Sequence, residues 1–458
     1  MAFLDDDYLL ETPAARELYD AIADVPIVDP HSHADVEEIV DNEGWSDIWE
    51  IEGSTDHYVW VLMRGQGIEE RLITGDAPNR EKWNALAEVF PRFVGNPTYE
   101  WVHLDLKRRF GIDQRLSSET ADEIWEETQA QLAQPEARPQ ALLSAMGVEV
   151  VCSTDDPTAS LEYHARAREE VDGVDVLPTW RVDRALTVGT DDWFAFVEEL
   201  ETATGVATDD LDGFFEALRA SHDHFADHGC VATDVGITEP VSRPVSADRA
   251  RKLYRRALES ASAGDGLDDA EASDLSASIL EYVGELNAET GWTTQFHVGA
   301  VRNYRESVYD QLGPASGVDI STPAVEFVDT LRYFLNRFDG DFETVLYCLD
   351  PTYYPTVATM ARVFPSVHVG PAWWFNDSPH GMESQFEYVG TVDTLWNHAG
   401  MVSDSRKLLS YGSRFELFRR SLANAVGRGV DRGQLPMAEA QRLVSHLAYD
   451  RPVELYGF

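Results

Sequence analysis

Lysine is scarce in this sequence of 458 residues, in which Arg and Lys together number 36. It occurs only at Lys82, Lys107, Lys252 and Lys407, whereas Asp and Glu number 82 and give a formal net charge of −46. Nucleic acid and anionic membranes are disfavoured as partners, because such a surface repels both. The acids are spread along a chain that is 43% hydrophobic, which argues against disorder. We expect a halophile-like protein, since at about 1 M salt a Debye length of roughly 3 Å screens neighbouring carboxylates.

Cysteine is also rare, and long hydrophobic runs are lacking. Cys152, Cys230 and Cys348 each lie in an apolar run and form no Cys-x-x-Cys pair, so we expect buried free thiols. The first seven residues carry acid where a signal peptide needs basic residues. No run reaches the roughly 18 apolar residues of a membrane span. These features predict a soluble, cytoplasmic protein.

What the chain does contain is a series of short apolar runs of β-branched character that alternate with helical patterns. This alternation predicts an α/β fold, a (β/α)8 barrel of the TIM type, whose active site gathers at the carboxyl ends of the strands. The eight predicted strands are Ile27–Asp29, Val148–Val151, Val174–Leu177, Val231–Ile237, Thr293–Val298, Val345–Leu349, Val367–Val369 and Gly400–Ser403.

The segments between the predicted strands differ greatly in length and divide the chain into three parts. Thr12 and Pro13 read as the cap and first residue of a helix, so residues 1–34 are predicted to hold one helix and the first strand. Residues 35–140 show Trp, Leu and Phe at helical spacings and are predicted to form a helical insertion over the barrel mouth. Residues 141–458 complete the barrel. The Asp- and Ala-rich segment 260–278 is predicted to be a flexible acidic surface stretch.

Two histidines follow the first predicted strand, in Asp29-Pro30-His31-Ser32-His33. Residues i and i+2 share a face in a strand, so His31 and His33 can present two imidazoles to one divalent ion. The spacing alone is equally compatible with a pair of exposed loop histidines.

Further polar residues stand where other strands should end. His297 closes the fifth strand, and Asp404 and Arg406 follow the eighth. Each has an ordinary alternative: a hydrogen-bonded structural histidine and a simple ion pair. Together, however, His31, His33, His297 and Asp404 form a nitrogen and oxygen ligand set suited to one divalent ion, with zinc expected.

The number of metal ions follows from a missing residue. Binuclear barrel hydrolases commonly need a carboxylated lysine on the fourth strand, and no lysine lies between Lys107 and Lys252. The sequence therefore predicts one metal ion rather than two.

At this point the residues resemble those of the uronate isomerase (glucuronate isomerase) family of the amidohydrolase superfamily, nearly end to end. Val182 and Val235 depart from the residues usual in that family, which are proline and histidine. The resemblance rests on six blocks in order: residues 29–33; 55–60 with Gly67-Ile68 downstream; 180–183; 295–303; 372–377; and 404–406.

The resemblance implies an aldose–ketose isomerase that interconverts D-glucuronate with D-fructuronate and D-galacturonate with D-tagaturonate. Such chemistry removes the C2 proton, stabilises a cis-enediolate and returns a proton to C1. In this interpretation Tyr58 is the base, aided by a cation such as Arg406, and Asp404 moves protons among the sugar hydroxyls. Without the resemblance, Tyr58 would read as an ordinary aromatic at a helix start.

The same interpretation assigns residues to substrate binding. Arg181 offers two parallel donors to the substrate carboxylate, although a salt bridge with Asp183 is the competing interpretation. His57 adds a donor, and Trp373 and Trp374 form walls around the sugar, unless either tryptophan is simply core. The expected partners are a hexuronate and further copies of this chain in a homo-oligomer.

Two other functions fit part of the pattern. A mononuclear metal-dependent hydrolase on the same barrel would use His297 and Asp404 to activate a water molecule. The blocks containing Tyr58 and Arg181 argue against it, because water activation needs no tyrosine base. A sugar-acid binding protein without catalytic activity is the second alternative.

Overall fold

Short strands and helices make up the computed structural model, which describes residues 3–263 and 266–458. The strands are β1 Ile27–Asp29, β2 Val148–Cys152, β3 Asp175–Leu177, β4 Trp180–Arg181, β5 Ala232–Ile237, β6 Thr293–Val298, β7 Ala300–Val301, β8 Ile320–Ser321, β9 Thr344–Cys348 and β10 Val367–Val369.

The helices connect these strands and cover them. They are α1 Pro13–Asp20, α2 Val36–Asp41, α3 Ile48–Glu52, α4 His57–Gly65, α5 Asn79–Val89, α6 Pro97–Phe110, α7 Ala121–Leu132, α8 Pro139–Met146, α9 Glu162–Glu170, α10 Asp183–Leu186, α11 Asp191–Thr204, α12 Leu211–Asp227, α13 Ala247–Ala263, α14 Asp269–Thr290, α15 Glu306–Leu312, α16 Val328–Arg337, α17 Tyr354–Val363, α18 Pro379–Val392, α19 Ser410–Asp431, α20 Met437–Ser445 and α21 Arg451–Tyr456. Short 3-10 turns span Glu70–Leu72, Phe90–Phe93, Pro135–Ala137, Pro351–Tyr353, Trp374–Asn376 and Leu395–Asn397, and a π-helical turn spans His446–Asp450.

The described strands form two parallel sheets and one small antiparallel pair. One sheet has the order β1-β2-β3 and the other the order β10-β9-β6-β5-β4, with all neighbours parallel. The antiparallel pair β7-β8 lies beyond the end of β6. Parallel neighbours joined through helices are the arrangement expected of an α/β barrel.

Backbone hydrogen bonds join the two sheets on both sides. On one side, the amide of Arg181 in β4 donates to the carbonyl of Asp155, three residues past the end of β2, at 2.9 Å. On the other side, the Ala399 amide donates to the Val369 carbonyl at 2.9 Å and the Asp404 amide to the His31 carbonyl at 3.1 Å. The TIM-type α/β fold class predicted from the sequence is confirmed.

Two predicted strands differ in detail. The third is found as β3, and a further short strand, β4, follows it after Pro178, which has no amide to donate to a neighbouring strand. The eighth, residues 400–403, is not a regular strand. Gly400 and Asp404 have φ angles of +93° and +48°, and the Ser403 amide bonds the Asp29 carboxylate rather than a carbonyl. This segment therefore connects β10 to β1 without regular strand geometry.

The first helix and the region that follows β1 agree with the sequence pattern. Thr12 caps α1, and its side chain accepts the Ala15 amide at 3.1 Å. Residues 35–140 contain helices and no strand within the part of the chain that the structure describes. Their apolar side chains share one core with α1 and α19, whereas a second core surrounds β4, β5, β6 and β9. The three domain boundaries stay predictions.

The expectation of a flexible stretch over residues 260–278 is wrong for its second half. α14 begins at Asp269, and the capping box between Asp268 and Glu271 satisfies the first amides of that helix. Local capping thus overrides the disorder that Asp and Ala content suggested. Residues 264 and 265 lie outside the described residues.

The structure also bears on membrane-spanning helices and on the cysteines. Across residues 3–263 and 266–458, no helix combines the length and apolar character needed to cross a membrane. Cys152, Cys230 and Cys348 are buried and unpaired, as predicted.

Candidate active site

Polar side chains converge at the carboxyl ends of the parallel strands. His31 and His33 follow β1, and His297 is the fifth of the six residues of β6. Asp404 follows the segment that takes the place of the eighth strand, and Asp234 lies within β5. Because parallel strands end at one edge of a barrel, residues from distant parts of the sequence meet there.

The predicted metal ligands lie together. Asp404 Oδ1 is 3.3 Å from His31 Nε2 and 3.2 Å from His33 Nε2. The rings of His31 and His297 are 4.2 Å apart between centroids. Two overlapping groups of three side chains have ligand atoms within 4.8 Å of one another: His31 with His33 and Asp404, and His31 with Asp234 and His297.

Asp404 is held in an unusual backbone conformation at the centre of this group. Its φ of +48° is in the left-handed region, which non-glycine residues rarely adopt and which often marks a functional site. Trp373 Nε1 donates to Asp404 Oδ2 at 2.7 Å, leaving Oδ1 to the two imidazoles. Burial raises the pKa of Asp404, but hydrogen bonds from His31 and His33 outweigh it and hold the pKa well below its usual range. The carboxylate is therefore ionised.

The donor set fits a divalent metal ion. Three imidazoles and one ionised carboxylate are the ligands that zinc and similar ions prefer. His297 Nε2 is buried and has no hydrogen-bond partner among the described residues, and the same holds for His31 Nδ1. Burial, followed by the charge of the neighbouring His31, lowers the pKa of His297 to about 4, so its imidazole is neutral as a ligand must be.

Asp234 belongs to this site, and the sequence analysis gave it no role. Its Oδ1 accepts a hydrogen bond from His297 Nδ1 at 2.7 Å, and its side chain is fully buried. Burial raises its pKa, but the charge of Arg181 and the hydrogen bond from His297 outweigh burial and lower the pKa overall. A carboxylate in the middle of an apolar parallel strand was the available signal, because such a residue is rarely buried without a partner.

Arg181 lies between two carboxylates. Its Nε donates to Asp183 Oδ2 at 2.8 Å, and its Nη1 is 3.2 Å from Asp234 Oδ2. Gly236 leaves room for the guanidinium, since a Cβ there would lie 2.5 Å from Arg181 Nη2. The structure thus contains the salt bridge with Asp183 that was the competing interpretation. The guanidinium of Arg181 also lines the cavity of the site.

His57 and Tyr58 form the first turn of α4, and Asp56 caps it. Their rings are 4.4 Å apart between centroids. The Tyr58 hydroxyl is buried and has no hydrogen-bond partner among the residues that the structure describes. Burial raises the pKa of Tyr58 above its usual range, so the resting side chain is a neutral phenol rather than the phenolate that would act as a base. Burial, followed by the charge of Arg406, lowers the pKa of His57 to about 3.

The cation packed on Tyr58 is Arg414. Its guanidinium carbon lies 4.7 Å from the Tyr58 ring and 4.1 Å from the Trp101 ring, and its Nη1 donates to Asp377 at 2.8 Å. Arg406, which was predicted for this role, uses Nη1 to donate to the Ala315 carbonyl at 3.0 Å. Sequence reasoning missed Arg414 because an arginine inside the long helix α19 looks like a surface residue.

The site opens into a cavity of about 420 Å³, part of which is solvent. Trp373 and Trp374 form its walls, and Arg302 lies with its guanidinium carbon 4.8 Å from the Trp374 ring. A neighbouring cavity of about 1290 Å³, partly solvent, contains Tyr58. The residues lining the first cavity are His31, His33, His57, Arg181, His297, Arg302, Gly317, Asp319, Trp373, Trp374, Asp404 and Arg406.

Fold and site together define an α/β-barrel enzyme with a cluster of polar side chains at the carboxyl ends of its strands. The model of the glucuronate isomerase family matches residues 1–456. The chain is 55% identical over 454 residues to a uronate isomerase of Thermotoga petrophila, with 99% of each chain covered. The chain belongs to the glucuronate isomerase family.

Two solved structures are similar over the whole chain. The crystal structure of uronate isomerase from Thermotoga maritima has a TM-score of 0.97 at 54% identity and covers all of both chains. That of glucuronate isomerase from Caulobacter crescentus has a TM-score of 0.95 at 27% identity and covers 99% of this chain and 97% of the other. The predicted family and the predicted isomerase function are confirmed.

Proposed function

We propose that this protein interconverts D-glucuronate with D-fructuronate and D-galacturonate with D-tagaturonate by proton transfer through a cis-enediolate. The observation that carries the proposal is the meeting of three kinds of group at one barrel mouth. An imidazole and carboxylate ligand set and three arginines line one cavity, and Tyr58, whose hydroxyl is buried and unpaired among the described residues, lines the adjoining cavity. An aldose–ketose isomerisation of a sugar acid needs ligands for its oxygens, cations for its carboxylate and a group that moves a carbon-bound proton.

Tyr58 is the proposed group for proton transfer at carbon. A neutral phenol can protonate the enediolate in one direction, and its phenolate removes the C2 proton in the other. Arg414, packed on the ring, and Arg406 both favour the phenolate against the cost of burial. Asp404, held ionised by two imidazoles, accepts and returns protons of the sugar hydroxyls.

Substrate binding is assigned to the walls of the cavity. Arg181 supports the carboxylate with the guanidinium edge that Asp183 and Asp234 leave free, and the neutral His57 donates to a sugar oxygen. Trp373 and Trp374 enclose the ring carbons. The arginines reverse the local sign of a chain whose net charge is −46, so that an anionic substrate can enter.

His31, His33, His297 and Asp404 would hold one divalent ion, for which zinc is the expected metal. Such an ion supplies a Lewis acid that orients and polarises substrate oxygens. Membership of the amidohydrolase superfamily, adaptation to high salt, assembly into a homo-oligomer, a cytoplasmic location and the absence of nucleic-acid and membrane partners stay predictions.

The experiment is a turnover assay of the purified protein in high salt. Ketose formation is followed from D-glucuronate and from D-galacturonate, before and after treatment with a chelator and after return of zinc. The proposal predicts ketose from at least one uronate. Hydrolysis of an ester or amide without isomerisation would favour the hydrolase, and calorimetric binding of uronate without product would favour a binding protein.

A further inference from the structure

One of the four lysines of this chain is buried beside the active site. Lys407 Nζ donates to Glu52 Oε2 at 2.7 Å and lies 3.1 Å from Asp105 Oδ2 and 3.6 Å from Asp56 Oδ2. All four side chains are at most 4% exposed, and we call them the Lys407 cluster. The mechanism proposed above gives this cluster no role.

The cluster connects two segments that both carry reacting groups. Lys407 follows Arg406 directly and lies three residues after Asp404. Glu52, Asp56 and Asp105 all come from the helical region 35–140, at the end of α3, the cap of α4 and the interior of α6. The ammonium group is therefore a direct ionic link between the strand-end segment and the region that supplies Tyr58.

Asp56 transmits this link to Tyr58. Its Oδ1 accepts the Tyr58 amide at 2.9 Å and the Val59 amide at 3.4 Å, while Oδ2 faces Lys407. A capping carboxylate fixes the first turn of a helix, and His57 and Tyr58 form that turn. Val59 and Met63 of α4 are buried in the apolar core, whereas His57 and Tyr58 are only partly buried.

The charges of the cluster favour lysine at this position. Three carboxylates around one cation are costly in a dry site unless one of them takes a proton. Burial raises the pKa of Glu52 to about 8 and also raises the pKa of Asp105, which favours a proton shared within the cluster. A compact ammonium with three rotatable donors suits three acids that approach from different directions, whereas a planar guanidinium does not.

We propose that Lys407 is a positioning residue for the isomerase reaction: through Asp56 it sets the place of Tyr58 relative to Asp404 and Arg406. The inference rests on the proposed function, because it concerns the rate of the proton transfer assigned to Tyr58. A displacement of about 1 Å in a reacting group can lower a rate by up to about 10². Loss of the link should therefore reduce kcat and leave the binding groups in place.

The test compares Lys407→Met, Asp56→Asn and the double variant with Lys107→Met, which removes the surface pair with Asp113. Asparagine keeps the capping oxygen for the Tyr58 amide and loses the charge that faces Lys407. Each protein is assayed well below its melting temperature for kcat, KM and the isotope effect with C2-deuterated uronate.

We expect each single variant to lower kcat about tenfold or more with KM changed less than twofold, and to raise the isotope effect on kcat. The double variant should be no slower than the slower single variant, because both substitutions break the same contact between Lys407 and Asp56. Lys107→Met should match the wild type. If Lys407→Met does not fold, the kcat and the isotope effect of Asp56→Asn alone test the inference.

Two results would overturn the inference while the wild type remains an active isomerase. One is a folded variant whose kcat is within twofold of the wild type. The other is a fall in kcat with an unchanged isotope effect, together with a double variant whose loss is the product of the two single losses. That result would mean that a smaller fraction of the protein molecules is active, and not that Tyr58 is displaced. A wild type without turnover would instead refute the proposed function.

Discussion

Asp234 and His297 are joined by a hydrogen bond of 2.7 Å from His297 Nδ1 to Asp234 Oδ1. Because the carboxylate is ionised and can only accept, the ring proton lies on Nδ1 and the lone pair on Nε2. Metal-binding histidines commonly donate their second ring nitrogen to a carboxylate in this way. The pair therefore orients His297 for the ion that the site is proposed to hold.

This relationship predicts the effect of Asp234→Asn on metal affinity. The amide can donate to Nδ1 and disfavours the required tautomer, so we expect the dissociation constant of zinc to rise about 10- to 100-fold. Titration with a competing chelator measures it. Asp155→Asn is the control, since Asp155 pairs with His164 outside the ligand set. Equal affinities in both variants would refute the orienting role.

Metal content is a separate prediction. His31→Asn and His33→Asn each remove a nitrogen that lies within 3.3 Å of Asp404 Oδ1. We expect each variant to bind less than one ion per chain after dialysis, against one in the wild type. Elemental analysis by mass spectrometry measures this directly. Two ions per wild-type chain would contradict the mononuclear site.

Much of this site could be predicted from the sequence. The residues that could not be predicted were missed for one common reason. His31, His33, His297 and Asp404 were found because each follows or closes a recognisable strand, and strand ends meet. Arg414 and Lys407 lie in α19 and the segment before it, where no periodicity distinguishes a buried cation from an exposed one. Their partners are distant in sequence, and only packing brings them together.

The same limit applies to the fold. The alternation of strands and helices predicted the barrel, because it is a local signal repeated along the chain. The irregular segment 400–403 was taken for a strand because its composition is apolar, while its geometry depends on positive φ angles at Gly400 and Asp404. Asp234 lies inside an apolar strand rather than at its end, so its position alone does not indicate a functional residue.

Arg181→Met should affect both binding and stability. Loss of the guanidinium removes a donor for the substrate carboxylate, so KM should rise at least tenfold while kcat changes less. It also leaves Asp183 and Asp234 without their cation, which should cost about 3 kcal/mol of unfolding free energy. Arg184→Met is the matched control, because its partners Asp192 and Glu199 are more than half exposed. An unchanged KM in a folded Arg181→Met protein would assign the carboxylate to another arginine.

His398 should make the fold sensitive to acid. It is fully buried, its Nε2 faces Gln385 Oε1 at 3.0 Å, and burial lowers its pKa to about 3. Between pH 6.5 and its folded pKa, only the unfolded chain binds the proton, so its contribution to stability falls as the pH falls. From pH 7 to pH 5 this amounts to about 2 kcal/mol of unfolding free energy.

Urea unfolding of the wild type and His398→Gln at both pH values measures that contribution. The loss of stability between pH 7 and pH 5 should be smaller in His398→Gln by about 2 kcal/mol. The exposed His380→Gln should retain the wild-type difference. Identical pH dependence in all three proteins would show that His398 is not held neutral.

Salt should stabilise the protein and assist its reaction. With a net charge of −46, the surface repels both itself and an anionic substrate, and screening relieves each effect. We expect the melting temperature and kcat/KM to rise from about 0.1 M to above 1 M KCl, as the Debye length falls from roughly 10 Å to 3 Å. A flat dependence with full activity in dilute buffer would contradict adaptation to salt and leave the isomerase assignment intact.

The most direct test of the proposed reaction is isomerisation in D2O, with deuterium located by NMR in wild type and Tyr58→Phe. Proton transfer predicts solvent deuterium at C2 of the aldose or C1 of the ketose. Tyr58→Phe should lower kcat by about 10² or more while uronate still binds, because a positioned base contributes 10² to 10⁴. Turnover without any solvent deuterium, at an equal rate in both proteins, would contradict the enediolate mechanism and the role of Tyr58.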